Sequence, residues 1–386
     1  MFSRRTRWDR TPNRLAELLQ ARRRAGAPVL DLTESNPTRA GIPYPGDLLA
    51  PLADPGGLTY EPSAMGLRQA REAVAADYRR RGIEVPAERI VLTASTSEAY
   101  AFLFKLLCDP GDAVLVPRPS YPLFEYLARI ESVEVRRYDL HYDTEWHVTR
   151  GLVEHEVTER TCAIVFVHPN NPTGSYLKRG EAAQLMALCA ERGLALVSDE
   201  VFADYGFEDD PRRLPSVAED GPCLAFSLGG LSKSCGLPQL KLGWIAVSGP
   251  ERLREEALAR LEIVADTYLS VGTPVQRAAQ QLLGRVAELQ APIAARVRTN
   301  LETLRKRAAT ATQATLLRGE GGWYAVLQVP ATETEEERVV RLLAEDGVLV
   351  HPGYFFDFPR EAYLVVSLLP PEAVFAEGLD RVLSRS

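Results

Sequence analysis

Lysine is nearly absent from this chain of 386 residues. Of its 45 basic side chains only five are lysine (Lys105, Lys178, Lys233, Lys241 and Lys306), and the rest are arginine. The skew reads as genomic base composition and assigns no function by itself. It does make each lysine a position where one can ask what arginine could not do. Cysteine is also sparse and unpatterned: five residues, none in a CxxC pair, several inside apolar runs. They read as small buried hydrophobes, and an odd count with no disulfide framework points to a reducing, cytoplasmic compartment. The five histidines form no HxxxH or HExxH pattern, so no metal site is signalled. No apolar run reaches the roughly 18 residues of a membrane span. The N-terminal MFSRRTRWDRTPNRL is basic but has no apolar core, so it does not read as a secretory signal. A net charge of −7 and an isoelectric point near 5.5 argue against a nucleic-acid or anionic-membrane binder.

What is present is an alternation. Residues 14–24 form an amphipathic stretch ending at Gly26, which predicts a short helix, followed by a strand-like VLDLTES and a Pro- and Gly-rich loop over 36–57. Leu67, Ala70, Val74 and Tyr78 share one face of a further helix. The middle then alternates apolar strands with helices. IVLTAS (90–95), DAVLVP, VEVRRYDL, CAIVFVHP (162–169), LALVSD (194–199), CLAFSL and WIAVSG read as strands. STSEAYAFLFKLL, YPLFEYLARI and GEAAQLMALCAERG read as helices. Short apolar runs separated by helices imply parallel strands covered on both faces. Residues 251–264 and 273–310 are long and amphipathic, and the tail alternates again through WYAVLQV, a helix at 335–346, VLVHPG, YLVVSLL and a last helix.

Open α/β sheets bind ligands beyond the carboxyl ends of their strands, so the residues after each strand matter most. After 90–95 come Ser95, Thr96 and Ser97 at a helix start, where free N–H groups and hydroxyls can hold a phosphate or simply cap the helix. After 162–169 come Asn170, Asn171, Pro172, Thr173 and Gly174, a tight turn offering amide donors and acceptors. Asp199 ends an apolar strand and calls for a cationic partner. After CLAFSLGG comes Ser232-Lys233, an amine that desolvation could leave neutral and nucleophilic.

Taken in this order, these features resemble the class I/II aminotransferases, fold-type I enzymes that use pyridoxal 5′-phosphate. The resemblance runs from DLTESNPT (31–38) to YLVVSLL (363–369) and is most specific over GLSKSCGLPQLKLGW (230–244). It implies that Lys233 carries the cofactor as a Schiff base and moves the proton. It implies that Asp199 pairs with the ring nitrogen, Asn171 bonds the ring oxygen, and Tyr121, in PRPSYPLFEY, stacks on the ring. Ser95, Thr96 and Ser97 would hold the phosphate, and Tyr60 would reach the phosphate of a neighbouring subunit, giving a homodimer with shared sites. The implied fold is α/β: a large domain, 48–285, with a mostly parallel seven-stranded sheet between helices. A small α+β domain, 286–386, completes it, with 1–47 packing on that domain.

Four positions depart from the family pattern. Lys241 stands where an arginine usually grips phosphate. Gly230 stands where serine is frequent, leaving Ser232 the nearest substitute. Phe202 replaces a tyrosine that donates to the ring oxygen. Val365 stands where the family places the arginine that clamps the substrate α-carboxylate, and Asn36, Arg39 and Arg360 are the nearby candidates to replace it. HPGYFFDF (351–358) and GGWYAV (321–326) flank this region, either as core or as a pocket for an apolar or aromatic substrate. The expected activity is transfer of an amino group between an amino acid and a keto acid or aldehyde, by a ping-pong mechanism. A lyase or decarboxylase on the same scaffold, or a regulatory protein that binds the cofactor without turnover, are the alternatives.

Overall fold

The computed structural model describes residues 1–385 and has the expected α/β architecture. Seven strands form the central sheet: β1 (Ile90–Thr93), β2 (Ala113–Arg118), β3 (Glu134–Asp139), β4 (Thr161–Val167), β5 (Ala195–Asp199), β6 (Ala225–Gly230) and β7 (Gly243–Ser248). Their spatial order is β1-β7-β6-β5-β4-β2-β3. All neighbours pair in parallel except β7, which runs antiparallel to both β1 and β6. The apolar runs gave the strands but not this reversal. A short connection from Gly230 to Gly243 leaves no long crossover, so the next strand returns.

All strands but the edge strand β3, Glu-Val-Arg-Arg-Tyr-Asp, are apolar because both faces are covered. In β4, Ala163, Val165 and Val167 point into one core with Phe102 and Leu103 of the helix Thr96–Leu107 and Leu261 of the helix Glu251–Tyr268. Ile164 and Phe166 point the other way, onto Leu185 and Leu188 of the helix Arg179–Arg192. Toward β1 and β7, Ile90, Leu92 and Trp244 pack on the helices Arg68–Arg80 and Thr273–Gly284.

The second core forms around a four-stranded antiparallel sheet of Thr315–Leu316, Tyr324–Gln328, Tyr363–Ser367 and His351–Pro352. The N-terminal segment joins it. Leu15, Leu32, Ala40 and Ile42 share one apolar cluster with Leu364, Phe375 and Leu379. Leu30 and Asp31 pair in parallel with Val348 and Leu349. The strand is only these two residues, shorter than VLDLTES suggests, because the next side chains fold back on their own backbone. Asp31 Oδ1 accepts from Thr33 N (2.9 Å), and Asn36 Oδ1 accepts from Thr38 N (3.1 Å).

Two helices also differ from their sequence patterns. The stretch 273–310 is two helices, Thr273–Gly284 and Val286–Ala308, interrupted at Arg285, and the buried face passes from the first core to the second inside the latter helix, between Leu289 and Ile293. YPLFEYLARI is helical only from Phe124, which leaves Tyr121 on a loop. The hairpin of His141–Asp143 and Glu145–His147 has no counterpart in the sequence reading. Among the described residues no helix is long and apolar enough to cross a membrane.

Leu32 is fully buried, and a Cβ placed on Gly378 of the last helix would lie 2.9 Å from its Cδ2. Leu32→Ala is expected to cost about 2–5 kcal/mol, read as a lower urea midpoint.

Candidate functional site

The parallel strands end along one edge of the sheet, and β7 starts there. Gly230 at the end of β6 pairs with Gly243 at the start of β7. A Cβ on Gly230 would lie 3.2 Å from Leu242 O, and one on Gly243 would lie 3.1 Å from the carbonyl carbon of Ser95. Only bare backbone fits between these segments, and this brings the turn carrying Lys233 beside the turn carrying Ser95.

Lys233 sits in the single helical turn Leu231–Ser234. Its Nζ lies 4.9 Å from the ring centroid of Trp323 and 5.3 Å from that of Phe202. Tyr205 donates to Lys233 O (2.8 Å) and Tyr44 donates to Gly236 O (2.6 Å), fixing the turn from two sides. Burial lowers the amine pKa from 10.5 to about 8, against the attraction of Asp199. Asp199, the last residue of β5, accepts from the Tyr100 hydroxyl (3.3 Å) and from Val201 N (3.2 Å). Burial nevertheless raises its carboxyl from 3.8 to about 6.

The two asparagines after β4 divide the work. Asn170 donates to Pro119 O (3.0 Å) and Thr173 Oγ1 (2.9 Å) and accepts from Ser120 Oγ (3.3 Å), so it ties the loop to the segment before Tyr121. Asn171 is 8% exposed and its Oδ1 has no hydrogen-bond partner. Tyr121 is half-exposed, and burial together with the charge of Asp199 pushes its phenol up.

Ser95 caps the helix Thr96–Leu107, its Oγ accepting from Glu98 N (3.2 Å), with Thr96 and Ser97 in the first turn. Ser232 Oγ lies 3.9 Å from where a Cβ on Gly230 would stand. Lys241 is exposed just before β7 with left-handed backbone, φ +54°, a conformation that costs a non-glycine residue of order 1 kcal/mol. Tyr60 is 70% exposed and lines a surface depression with Leu269.

Val365 is fully buried. It packs with Trp146, Val326, Phe356 and Phe358, and stands opposite Val326 and His351 in the sheet. Phe356 and Phe358 are therefore core, whereas Tyr354 is 42% exposed. Asn36 is held in its own turn and Arg39 reaches Glu34 at 3.6 Å with its side chain 74% exposed. Arg360 is exposed on the loop before Tyr363. Among the described residues no hydrogen bond or ion pair joins Asn36, Arg39 or Arg360 to Lys233, Asp199 or Asn171.

Sequence reasoning missed three neighbours of Lys233 and Asp199: Tyr100, Tyr205 and, at this place, Trp323. Tyr100 was visible as a polar-tipped residue on the buried face of an apolar helix, which needs a partner for its hydroxyl. The other two reach Lys233 from distant segments, and nothing local announces it. All five cysteines are free, and Cys108 and Cys162 are only half-buried.

The family model for aminotransferase class I and II matches residues 45–381. Human tyrosine aminotransferase is 27% identical over 333 residues, covering 84% of this chain and 72% of that protein. Alanine aminotransferase of Mycobacterium tuberculosis is 27% identical over 373 residues, covering 92% and 85%. The solved alanine aminotransferase of Pyrococcus furiosus superposes with a TM-score of 0.89 at 23% identity, covering 100% of this chain and 99% of that one.

The raised carboxyl of Asp199 fixes a sign. Its folded pKa, about 6, lies above the unfolded 3.8, so stability is highest with Asp199 protonated and falls as pH rises through that window. In cofactor-free protein, Asp199→Asn is expected to be more stable than wild type at pH 7 by about 1–3 kcal/mol. The difference should vanish near pH 4, as read by urea denaturation at both values.

Proposed function

The chain belongs to the class I and II aminotransferases, enzymes that depend in general on pyridoxal 5′-phosphate, and on that footing we propose that Lys233 holds this cofactor. The amino group of an amino acid is then passed to a keto acid or aldehyde in two half-reactions at the one site. The observation that carries the reading is the electrostatic coupling of Lys233 with Asp199. Burial pushes the amine down to about 8 and the carboxyl up to about 6, and Asn171, after the neighbouring strand β4, keeps a buried amide oxygen without a partner. The donor set fits the group. Asn171 would donate through its amide Nδ2 to the ring oxygen, Asp199 would pair with the ring nitrogen and Tyr121 would cover the ring face. Ser95, Thr96 and Ser97, with the N–H groups of their helix, would take the phosphate, alongside Lys241. Ser232 would replace the hydroxyl that Gly230 lacks, since it lies close to that position. Phe202 offers no hydroxyl to the ring oxygen, which leaves Asn171 the donor there.

When bound, pyridoxal 5′-phosphate supplies an aldehyde that condenses with amines and a ring that takes up the electron pair left at the α-carbon. The chain's own residues do the rest. Lys233, half neutral near pH 8, can attack a carbonyl and can accept a proton at Nζ and return it. The rings of Phe202 and Trp323 keep water from that nitrogen. Asp199, costly to ionise alone, gains a cationic partner once the site is filled.

Substrate recognition departs from the pattern, because Val365 lies in an apolar cluster that offers a carboxylate nothing. The backbone favours Arg39 and Asn36 over Arg360 as the replacement. Ser367 donates through N to Leu32 O (2.7 Å) and through Oγ to Glu34 O (2.6 Å), and Leu368 N donates to Trp323 O (2.8 Å). The segment carrying Asn36 and Arg39 is thus attached at the end of the strand nearest Trp323 and Lys233. Arg360 precedes the opposite end, about 13 Å away. Exposed Leu58, Tyr60 and Ile263 support a homodimer in which Tyr60 reaches the phosphate of a second copy.

With cofactor added and the adduct reduced by borohydride, wild type is expected to gain one pyridoxyl group on Lys233, and Lys233→Ala none. A full adduct on one of the four other lysines would refute the assignment. Amino acids should convert the bound cofactor to its amine form; release of pyruvate and ammonia instead would identify a lyase. Arg39→Gln is expected to raise KM for the amino acid about tenfold while changing kcat little, the mark of lost ground-state binding.

A further inference from the structure

Trp323 owes its place beside Lys233 to the turn that precedes it, and that turn is built around a buried carboxylate. Glu320 is 4% exposed. Its two oxygens accept from Lys178 Nζ at 2.5 Å each, Oε2 also accepts from Tyr176 N (3.1 Å), and Arg213 Nε stands 3.6 Å from Oε1. The turn is threaded between two loops of the site. Glu320 N donates to Gly174 O (3.0 Å), Phe207 N donates to Glu320 O (2.9 Å) and Gly322 N donates to Tyr205 O (2.9 Å). A Cβ on Gly174 would lie 2.5 Å from Gly321 O, and one on Gly321 would lie 2.6 Å from Tyr205 O. There is no room for the turn to shift toward either loop.

One loop carries Asn171 and the other Phe202 and Tyr205. Lys178 lies just beyond the first, immediately before the helix Arg179–Arg192. A buried ion pair is a poor source of stability compared with apolar packing, but it admits few alternative arrangements. We propose that Glu320 and Lys178 act as a positioning pair for Lys233: they fix the turn 319–322, and through it they seat the Trp323 ring against Nζ. The proposal rests on the reading of Lys233 as the reactive amine. Neither Glu320 nor Lys178 touches that nitrogen, so they act through Trp323.

The charges bearing on each partner are few. Asp199 faces Lys233. Lys178 and Arg213 face Glu320, and Glu145 and Asp210 feel Lys178 from the outer side. His168 is held neutral by burial, and the charges of Lys178 and Arg213 push the same way.

The test uses cofactor-free full-length protein and trace acetylation by acetic anhydride between pH 6 and 11, with Lys233 and the exposed Lys241 read separately by peptide mass spectrometry. Wild-type Lys233 is expected to titrate near pH 8. Opening the pocket to water in Lys178→Met should move that midpoint up by about one unit, so that at pH 8 acetylation of Lys233 falls about fivefold relative to Lys241. Trp323→Ala should do the same, and Lys178→Met added to Trp323→Ala should move it no further. The pair Glu320→Gln with Lys178→Met removes both buried charges together and provides a folded comparison if the single variant is unstable. It should show the same rise. A wild-type midpoint near 10.5 would overturn the reading of Lys233 itself. A midpoint near 8 that stays put in both Lys178→Met and the paired variant, even with lower melting temperatures, would overturn the positioning pair. Fully additive shifts with Trp323→Ala would overturn the route through Trp323.

Discussion

The site is organised around keeping one amine out of water. A lysine ammonium is among the most strongly hydrated groups a protein carries, and removing its water favours the neutral form. Lys233 is brought to that condition by the rings of Trp323 and Phe202 and by a turn that the Tyr205 hydroxyl holds in place. Asp199 is the counterweight. It stabilises whatever cation stands before it, yet burial makes its own charge expensive. Burial thus displaces both groups toward their neutral forms, the amine downward and the carboxyl upward.

Such a pair costs the empty protein stability, and a bound cation with a phosphate tail would offset the cost on binding. The rest of the edge has a matching character. Asn170 is saturated with hydrogen bonds and gives the loop its shape, while its neighbour Asn171 keeps a buried oxygen free. Lys241 holds a left-handed backbone that a glycine would adopt at less cost. A buried unpaired oxygen on Asn171 and a left-handed backbone at Lys241 both lie along this edge.

Much of this was legible in the sequence because it is local. Every strand but the edge strand β3 is an apolar run, Ser95, Tyr121, Asn171 and Lys233 follow such runs closely, and Asp199 ends one. What was not legible depends on contacts between distant segments. The reversal of β7 is set by the length of a loop, and the passage of the helix Val286–Ala308 from one core to the other, between Leu289 and Ile293, by segments far away in the chain. Trp323 lies in a glycine-flanked aromatic run that reads equally well as core, and only the turn around Glu320 brings its ring to Lys233. Val365 stands out locally as a valine in place of an arginine, but the Trp146 that packs against it comes from a distant hairpin with no sequence signal.

The second core has a consequence for how the chain is made. Its strand Leu30–Asp31 finds its partner at Val348–Leu349, and Leu32 packs under the final helix. A ribosome therefore releases these N-terminal side chains long before the surface that covers them exists. The central sheet can close on its own neighbours in the meantime, but the first forty residues must wait, with their apolar groups accessible to chaperones and proteases. Completion of this core waits for the helix Glu372–Arg385, and a chain stopped short of that helix leaves Leu15 and Leu32 without part of their cover.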